Sequence, residues 1–385
     1  MRIALMLGKM SLGARPAVDL ASFRTTPGMT GTDTGFVRIG ECLEAMGHDV
    51  TRLYPGNDTA GKYDAAIAVN EPDLLRTVDA DVRACSYWLN DASFCRAGFD
   101  RYCDLFFSPS RAHLEMFRTK QAWRRVEVSQ QNPKGVELYQ FKPEKWRAIE
   151  LGCDPERYGS SIPGTALEVA RWEPIAPKIP GRVVYCSSPD RGLHHLLQEW
   201  PRIKRAAPHA TLQIFYRLGP WIQDLASVPY PFPSIEALRA RALYINEALG
   251  RMSGPEWGIT VRDSVSRATI ESEMSQAECL AYPCDTVRWS EGFSCTLLEA
   301  CAARACPVVL ETDAFPQVYG GAVPMVAREC VTEWGELVIR ALKDAEWRRE
   351  VNERVGAFAA ERTWKHTAER MVLEIEAERI RMVAA

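Results

Sequence analysis

Residues Ser290 to Leu310 read SEGFSCTLLEACAARACPVVL, and the stretch divides into a tight loop, a short helix and a buried strand. Gly292 permits a turn that a residue with a Cβ resists. Ser294 suits a helix start, where its hydroxyl accepts from free amides, and Leu297, Leu298, Cys301 and Ala302 supply one apolar helical face. Two carboxylates bracket the turn, Glu291 before the helix and Glu299 within it. At roughly 1.5 Å per helical residue they stand about 10 Å apart, too far to share one proton or one metal ion. They are spaced to grip two ends of one long ligand.

The same alternation of strand and helix runs through the chain. Arg2 to Leu7 is an apolar strand, and after an irregular stretch to Thr34 the residues Phe36, Ile39, Leu43 and Met46 recur at helical spacing before Gly47 ends the run. Strands follow at Val50 to Leu53, Ala65 to Val69, Ala84 to Leu89 and Leu105 to Ser108, the last leading to a helix capped by Ser110. A second start comes at Arg182 to Cys186, with a turn from Ser187 to Gly192. A helix with Leu193, Leu196, Leu197, Trp200 and Ile203 on one face comes next, and then a strand from Thr211 to Tyr216. Pro220 to Glu256 and everything beyond Thr332 read as helical. At 385 residues the chain exceeds what one core usually serves. We expect an α/β protein of two Rossmann-like domains facing one cleft. The first spans 1–165, a linker 166–180, the second 181–360, and a terminal helix at 361–385 crosses back to the first. In such sheets ligands bind at the carboxyl ends of the strands.

Composition narrows the function. Hydrophobic residues at 46% and charged residues at 25% suit a soluble enzyme, and a net charge of −3 offers no basic surplus for a nucleic acid. The amino terminus is too short and too soon interrupted by Lys9 for a signal peptide, and no apolar run approaches the ~20 residues of a membrane span. A cytoplasmic protein is expected, with peripheral membrane contact left open. None of the 12 cysteines forms a Cys-x-x-Cys pair, so neither a disulfide framework nor a zinc site is expected. Asp79 and Asp81 lie in a polar, helix-like run and read as surface carboxylates rather than metal ligands.

Arg191 is the strongest single cation. At the end of a strand, on a tight turn, its guanidinium can pair bidentately with a diphosphate or hold the turn by a salt bridge. The histidines offer no evident catalytic base: His194 and His195 fall in a helix, His48 follows a helix end and His366 belongs to the tail.

Glu291 and Glu299, with Gly292, Phe293, Leu298, Ala300 and Pro307, resemble the Glu-x7-Glu signature of retaining glycosyltransferases of the group 1 (family 4) type. The segments Tyr185 to Leu193 and Pro208 to Tyr216 are similar to one branch of that family, and Glu150 to Tyr158 resembles the segment that closes its first domain. The resemblance implies a GT-B fold, metal independence and transfer from a nucleotide-diphosphate sugar, UDP- or GDP-linked, to a glycan, lipid-linked or small-molecule acceptor with retention of configuration. It implies that Glu291 contacts the donor sugar and Glu299 the ribose, with the diphosphate at the amides of Phe293, Ser294 and Cys295. A free helix N-terminus favours an anion there.

The chain departs from the pattern in two places. Asn90 stands where many relatives carry a histidine beside the donor sugar. Arg191 takes the family's lysine position, while Ser187 or Ser188 occupies that of the arginine, so one of the two expected phosphate cations is missing or comes from elsewhere; Arg217 and Arg288 are the candidate substitutes. Gly31, in the loop from Gly28 to Gly35, and Arg262, after a strand that faces the base in relatives, complete the expected donor site. A nucleotide-sugar epimerase or hydrolase on the same fold, or a non-catalytic nucleotide- or glycan-binding relative, are the alternatives.

Overall fold

The computed structural model describes residues 1–9, 17–89, 97–119, 139–162, 171–227 and 233–384. It holds two six-stranded parallel sheets and one short antiparallel pair. The first sheet comprises β1 (Arg2–Leu7), β2 (Asp49–Leu53), β3 (Lys62–Val69), β4 (Asp79–Ser86), β5 (Leu105–Ser108) and β6 (Trp146–Ala148), in the order β2-β1-β3-β4-β5-β6. Among the described residues its longer helices are α1 (Gly31–Ala45) and α2 (Arg111–Arg118). The antiparallel pair is β7 (Gly159–Ile162) with β8 (Arg171–Pro174).

The second sheet comprises β9 (Arg182–Tyr185), β10 (Thr211–Phe215), β11 (Ile259–Arg262), β12 (Cys279–Tyr282), β13 (Pro307–Leu310) and β14 (Met325–Val326). Between these strands run α3 (Leu193–Ala206), α4 (Leu218–Ser227), α5 (Pro233–Arg251), α6 (Arg267–Gln276), α7 (Cys295–Ala302) and α8 (Phe315–Tyr319). Three helices close the chain: α9 (Val331–Lys343), α10 (Ala345–Ala360) and α11 (Trp364–Ala384). The strand order is β11-β10-β9-β12-β13-β14. Counted from β9 this is the 3-2-1-4-5-6 order of dinucleotide-binding sheets, whose ligand crevice opens where the order reverses. Here the reversal lies between β9 and β12, so the turn after β9 and the long loop after β12 meet above it.

Both faces of each sheet are covered, which is why the strands read as unbroken apolar runs. In β1 the alternation sends Ile3, Leu5 and Leu7 to one core and Ala4 and Met6 to the other. The first of these cores also takes Phe36, Ile39 and Leu43 of α1 and Trp364, Ala368, Met371 and Ile375 of α11, so the last helix of the chain buries its apolar face on the first sheet. The connection is fixed at its start, where Trp364 N donates to Cys153 O at 3.2 Å and Cys153 N to Arg362 O at 3.0 Å.

Two local readings are corrected. The helix read from Gly35 begins at Gly31, because Thr30 and Asp33 form a reciprocal capping box that satisfies two helix-start donors. Asp79 and Asp81 lie on β4, not in a helix. Their period-two alternation puts them on its more open side, where Asp81 pairs with Lys62 at 3.4 Å and Arg379 at 3.2 Å. The stretch read as linker carries β8. Asn90 lies outside the described residues.

Candidate active site

The loop carrying Glu291 is built by a residue far along the chain. Asp313, in the left-handed region at φ 49°, accepts through Oδ2 from Ser290 N at 2.8 Å, Glu291 N at 2.9 Å and Thr286 Oγ1 at 3.0 Å. One carboxylate thus gathers three donors of an otherwise irregular segment. Ser294 caps α7, accepting from Leu297 N at 3.2 Å, and its carbonyl accepts from Tyr319 Oη at 2.7 Å.

Glu291 is buried and forms an ion pair with Arg191. Burial pushes its carboxyl up to about 7, against the opposing pull of Arg191. For Arg191 burial acts to lower the pKa, but Glu291 outweighs it and the guanidinium stays above its ordinary value. The Arg191 side chain keeps 30% of its surface exposed, and its Nε is buried without a hydrogen-bond partner among the described residues. Gly192 after it adopts φ 97°, with the carbonyl of Pro283 only 1.7 Å from where a Cβ would stand. That close approach packs the β9 turn against the segment after β12.

A cavity of about 540 Å³ opens at the carboxyl ends of β9, β10 and β11. Ser187 and Ser188 line it from the β9 turn, Phe215, Tyr216 and Arg217 from the end of β10, and Arg262 from the end of β11. Met29, Thr30 and Gly31 close it from the first half of the chain, and Glu299 lines it from α7. Arg267, at the start of α6, also lines the cavity and pairs with Glu299. Burial raises the Glu299 carboxyl while Arg267 opposes the rise. Arg262 pairs with Glu273 at 2.8 Å and lies 5.8 Å over the Phe215 ring. Arg217 is exposed and, alone among the three arginines on this cavity, has no ion pair among the described residues.

The structure therefore brings Gly31, Ser187, Ser188, Arg262 and Glu299 to one cavity, and pairs Glu291 with Arg191, neither of which is on its wall. Phe293, Ser294 and Cys295 do not line it. Phe293 packs against both the second core and the first, 5.8 Å from the Tyr319 ring, and Cys295 packs against the first. Arg288, named with Arg217 as a candidate cation, is not on the cavity wall either. Sequence reading missed Arg267 and Asp313. Nothing in the local pattern marks either, because each acts on a partner 22 or more positions away.

The two halves touch around this cavity. Gly28 N donates to Val265 O at 3.2 Å, Ala268 N to Arg24 O at 3.0 Å, and Ser110 Oγ to Gly292 O at 2.6 Å. His113, one turn into α2, is wholly buried between Ser108 Oγ at 2.7 Å and Leu89 O at 3.0 Å. Burial holds it down to about 4, so it stays a neutral structural group at physiological pH. Among the described residues one trio has the spacing of metal ligands: His194, His195 and Asp285. Asp285 is already held by Arg241 at 2.6 Å and by Arg328 Nε at 2.6 Å, and two guanidiniums there oppose a cation.

Two doubly wound halves with a cavity at the carboxyl ends of the second sheet define the GT-B fold. Solved structures with this arrangement include a sucrose-phosphate synthase from Thermosynechococcus elongatus, to which the chain is similar with a TM-score of 0.62 and 13% identity over 100% of both chains. The Anabaena protein HepE, solved with UDP and glucose, gives a TM-score of 0.59 and 13% identity over 98% of this chain and 100% of that one. A UDP-forming trehalose-phosphate synthase from Burkholderia xenovorans gives 0.53 and 13% over 81% and 73%. At these identities the likeness establishes the fold. No protein-family model and no curated protein matches the sequence. Among the described residues no helix is long and apolar enough to cross a membrane.

Proposed function

We propose that the protein is a metal-independent retaining glycosyltransferase that moves a sugar from a nucleotide-diphosphate sugar to an acceptor hydroxyl. The observation that carries this reading is the buried carboxylate of Glu299, set in the wall of the cavity at the carboxyl ends of β9 to β11. Arg267 holds one of its oxygens, which fixes the orientation of the other as an acceptor for ribose hydroxyls. Tyr216 and Trp221 offer aromatic faces for a base.

The diphosphate then lies toward Ser187, Ser188 and Arg217. Arg217 supplies the cation missing from the family's usual position, and the charge that grows on the leaving diphosphate is met by a donor already in place. Glu291 orients the Arg191 guanidinium and positions the donor sugar. The acceptor hydroxyl approaches from the first half of the chain and attacks the face from which the diphosphate departs. No side chain is assigned as nucleophile or base. The three similar structures support the reading: HepE was solved with UDP and glucose, and the other two are a sucrose-phosphate and a UDP-forming trehalose-phosphate synthase.

Incubation with a panel of nucleotide sugars, with and without acceptors, tests this reading. Nucleotide release that requires an acceptor supports transfer. Conversion of the free nucleotide sugar, or binding without turnover, contradicts it.

A further inference from the structure

At the carboxyl end of α7, away from the cavity just described, Arg304, α10, Pro174 and Lys178 line a second cavity of about 290 Å³. Its polar lining is Lys178, Arg304, Arg348, Arg349, Asn352 and Glu353: four cations and one carboxylate, in a chain whose net charge is −3. The clustering is built, not incidental. Ala345, Arg349 and Asn352 recur at helical spacing and present one face of α10, with Arg348 alongside them. Asn352 Oδ1 accepts from Cys306 N at 2.9 Å, which leaves its amide N–H groups as donors. Arg348 is anchored to Glu278 at 2.9 Å behind the wall. Arg304 follows α7 in the left-handed region at φ 49°, where an arginine is costly and a glycine or asparagine would be easy. Lys178 donates to Ala277 O at 2.7 Å and Ala303 O at 2.9 Å, placing its ammonium at the carboxyl end of α7.

We propose that this cavity is a binding site for the phosphate group of a small anion. Guanidinium forks match phosphate oxygens two at a time. Glu278 balances Arg348 and burial lowers the Lys178 ammonium to about 7, so Arg304, Arg349 and the Asn352 amide are the donors that meet the ligand. The cavity is about half the size of the first and holds a phosphate with at most a small organic group. Glu353, at the rim, sets a limit: a ligand with a second anionic group on that side is repelled. The site joins the same helix that carries Ser294 at its other end and Glu299 within, so α7 links two cavities. The inference stands independently of the donor-sugar reading.

Isothermal titration of the intact protein with inorganic phosphate, and separately with a hexose phosphate, tests it. Both probes share the phosphate group. Saturable binding of either at about millimolar concentration or below supports the site, and the tighter of the two identifies whether the organic part contributes. Arg349→Glu, at an exposed position that the fold tolerates, and Arg304→Asn, which suits the left-handed backbone, each weaken binding about tenfold or more. Arg118→Ala, exposed at the end of α2 and outside both cavities, leaves the isotherm unchanged. The proposal is overturned by absence of saturable heat with both probes, or by binding that Arg217→Ala, in the first cavity, removes and Arg349→Glu does not.

Discussion

The hydroxyl of Ser110, wholly buried, donates to the carbonyl of Gly292 across 2.6 Å and joins the first half of the chain to the loop that carries Glu291. The same oxygen accepts from His113 N at 3.0 Å and caps α2. Ser110→Ala removes both bonds and leaves the Gly292 carbonyl buried, an expected loss of about 1–3 kcal/mol. Urea unfolding monitored by tryptophan fluorescence measures it. A variant with the wild-type midpoint would show that the two halves do not depend on this bond.

Gly192→Ala tests whether the β9 turn is held as tightly as its backbone implies. The new methyl meets Pro283 O at 1.7 Å in a conformation, φ 97°, that side chains rarely adopt. Strain and clash together cost about 3 kcal/mol or more. Chemical denaturation at one temperature is sufficient, and a neutral result would mean that the turn relaxes freely and does not fix Arg191.

Stability depends on pH with opposite signs at two buried groups. Glu291 titrates at about 7 in the folded chain and near 4.5 in its ordinary state, so between these values the folded form binds the extra proton and stability falls as pH rises. His113 titrates at about 4 against an ordinary 6.5, so the unfolded form binds the extra proton and stability falls as pH drops from 6.5 to 4. Comparing the wild type with Glu291→Gln from pH 5 to 8, the variant loses the decline toward neutral pH. His113 imidazole resonances stay in the neutral form at pH 5.5. A wild-type profile parallel to that of Glu291→Gln would remove the first assignment, and protonation of His113 near 6.5 the second.

Much of the architecture was legible because burial on both sheet faces leaves a periodic trace. Leu193, Leu196, Leu197, Trp200 and Ile203 mark one face of α3, and Ser294 marks the start of α7 by a cap whose chemistry is local. What escaped has no local trace. Asp313 organises the Glu291 loop through backbone amides of Ser290 and Glu291, and any residue type carries such amides. Arg267 meets Glu299 only because α6 and α7 lie side by side. The start of α1 was misplaced because Gly31 and Gly35 read as loop residues, while the Thr30–Asp33 capping box overrides their low helical preference. The candidate site was visible as residue types, and the pairing of Arg191 with Glu291 was not.

The Arg267–Glu299 pair is predicted to be structural as well as functional. Arg267→Ala strands a buried carboxylate, and loss of one partner of a buried pair costs about 3–5 kcal/mol. Guanidinium unfolding of the variant checks this. A loss under about 1 kcal/mol would mean that the pair is solvated in solution, as surface pairs are.

The central claim is that Glu299 holds the nucleotide of a donor sugar, and titration calorimetry of UDP and of GDP against the wild type and Glu299→Gln tests it most directly. Gln keeps the size of the side chain and removes its charge. The account predicts that at least one nucleotide binds the wild type and that Glu299→Gln weakens it about tenfold or more. Equal affinity in the two proteins, or no binding of either nucleotide, would contradict it.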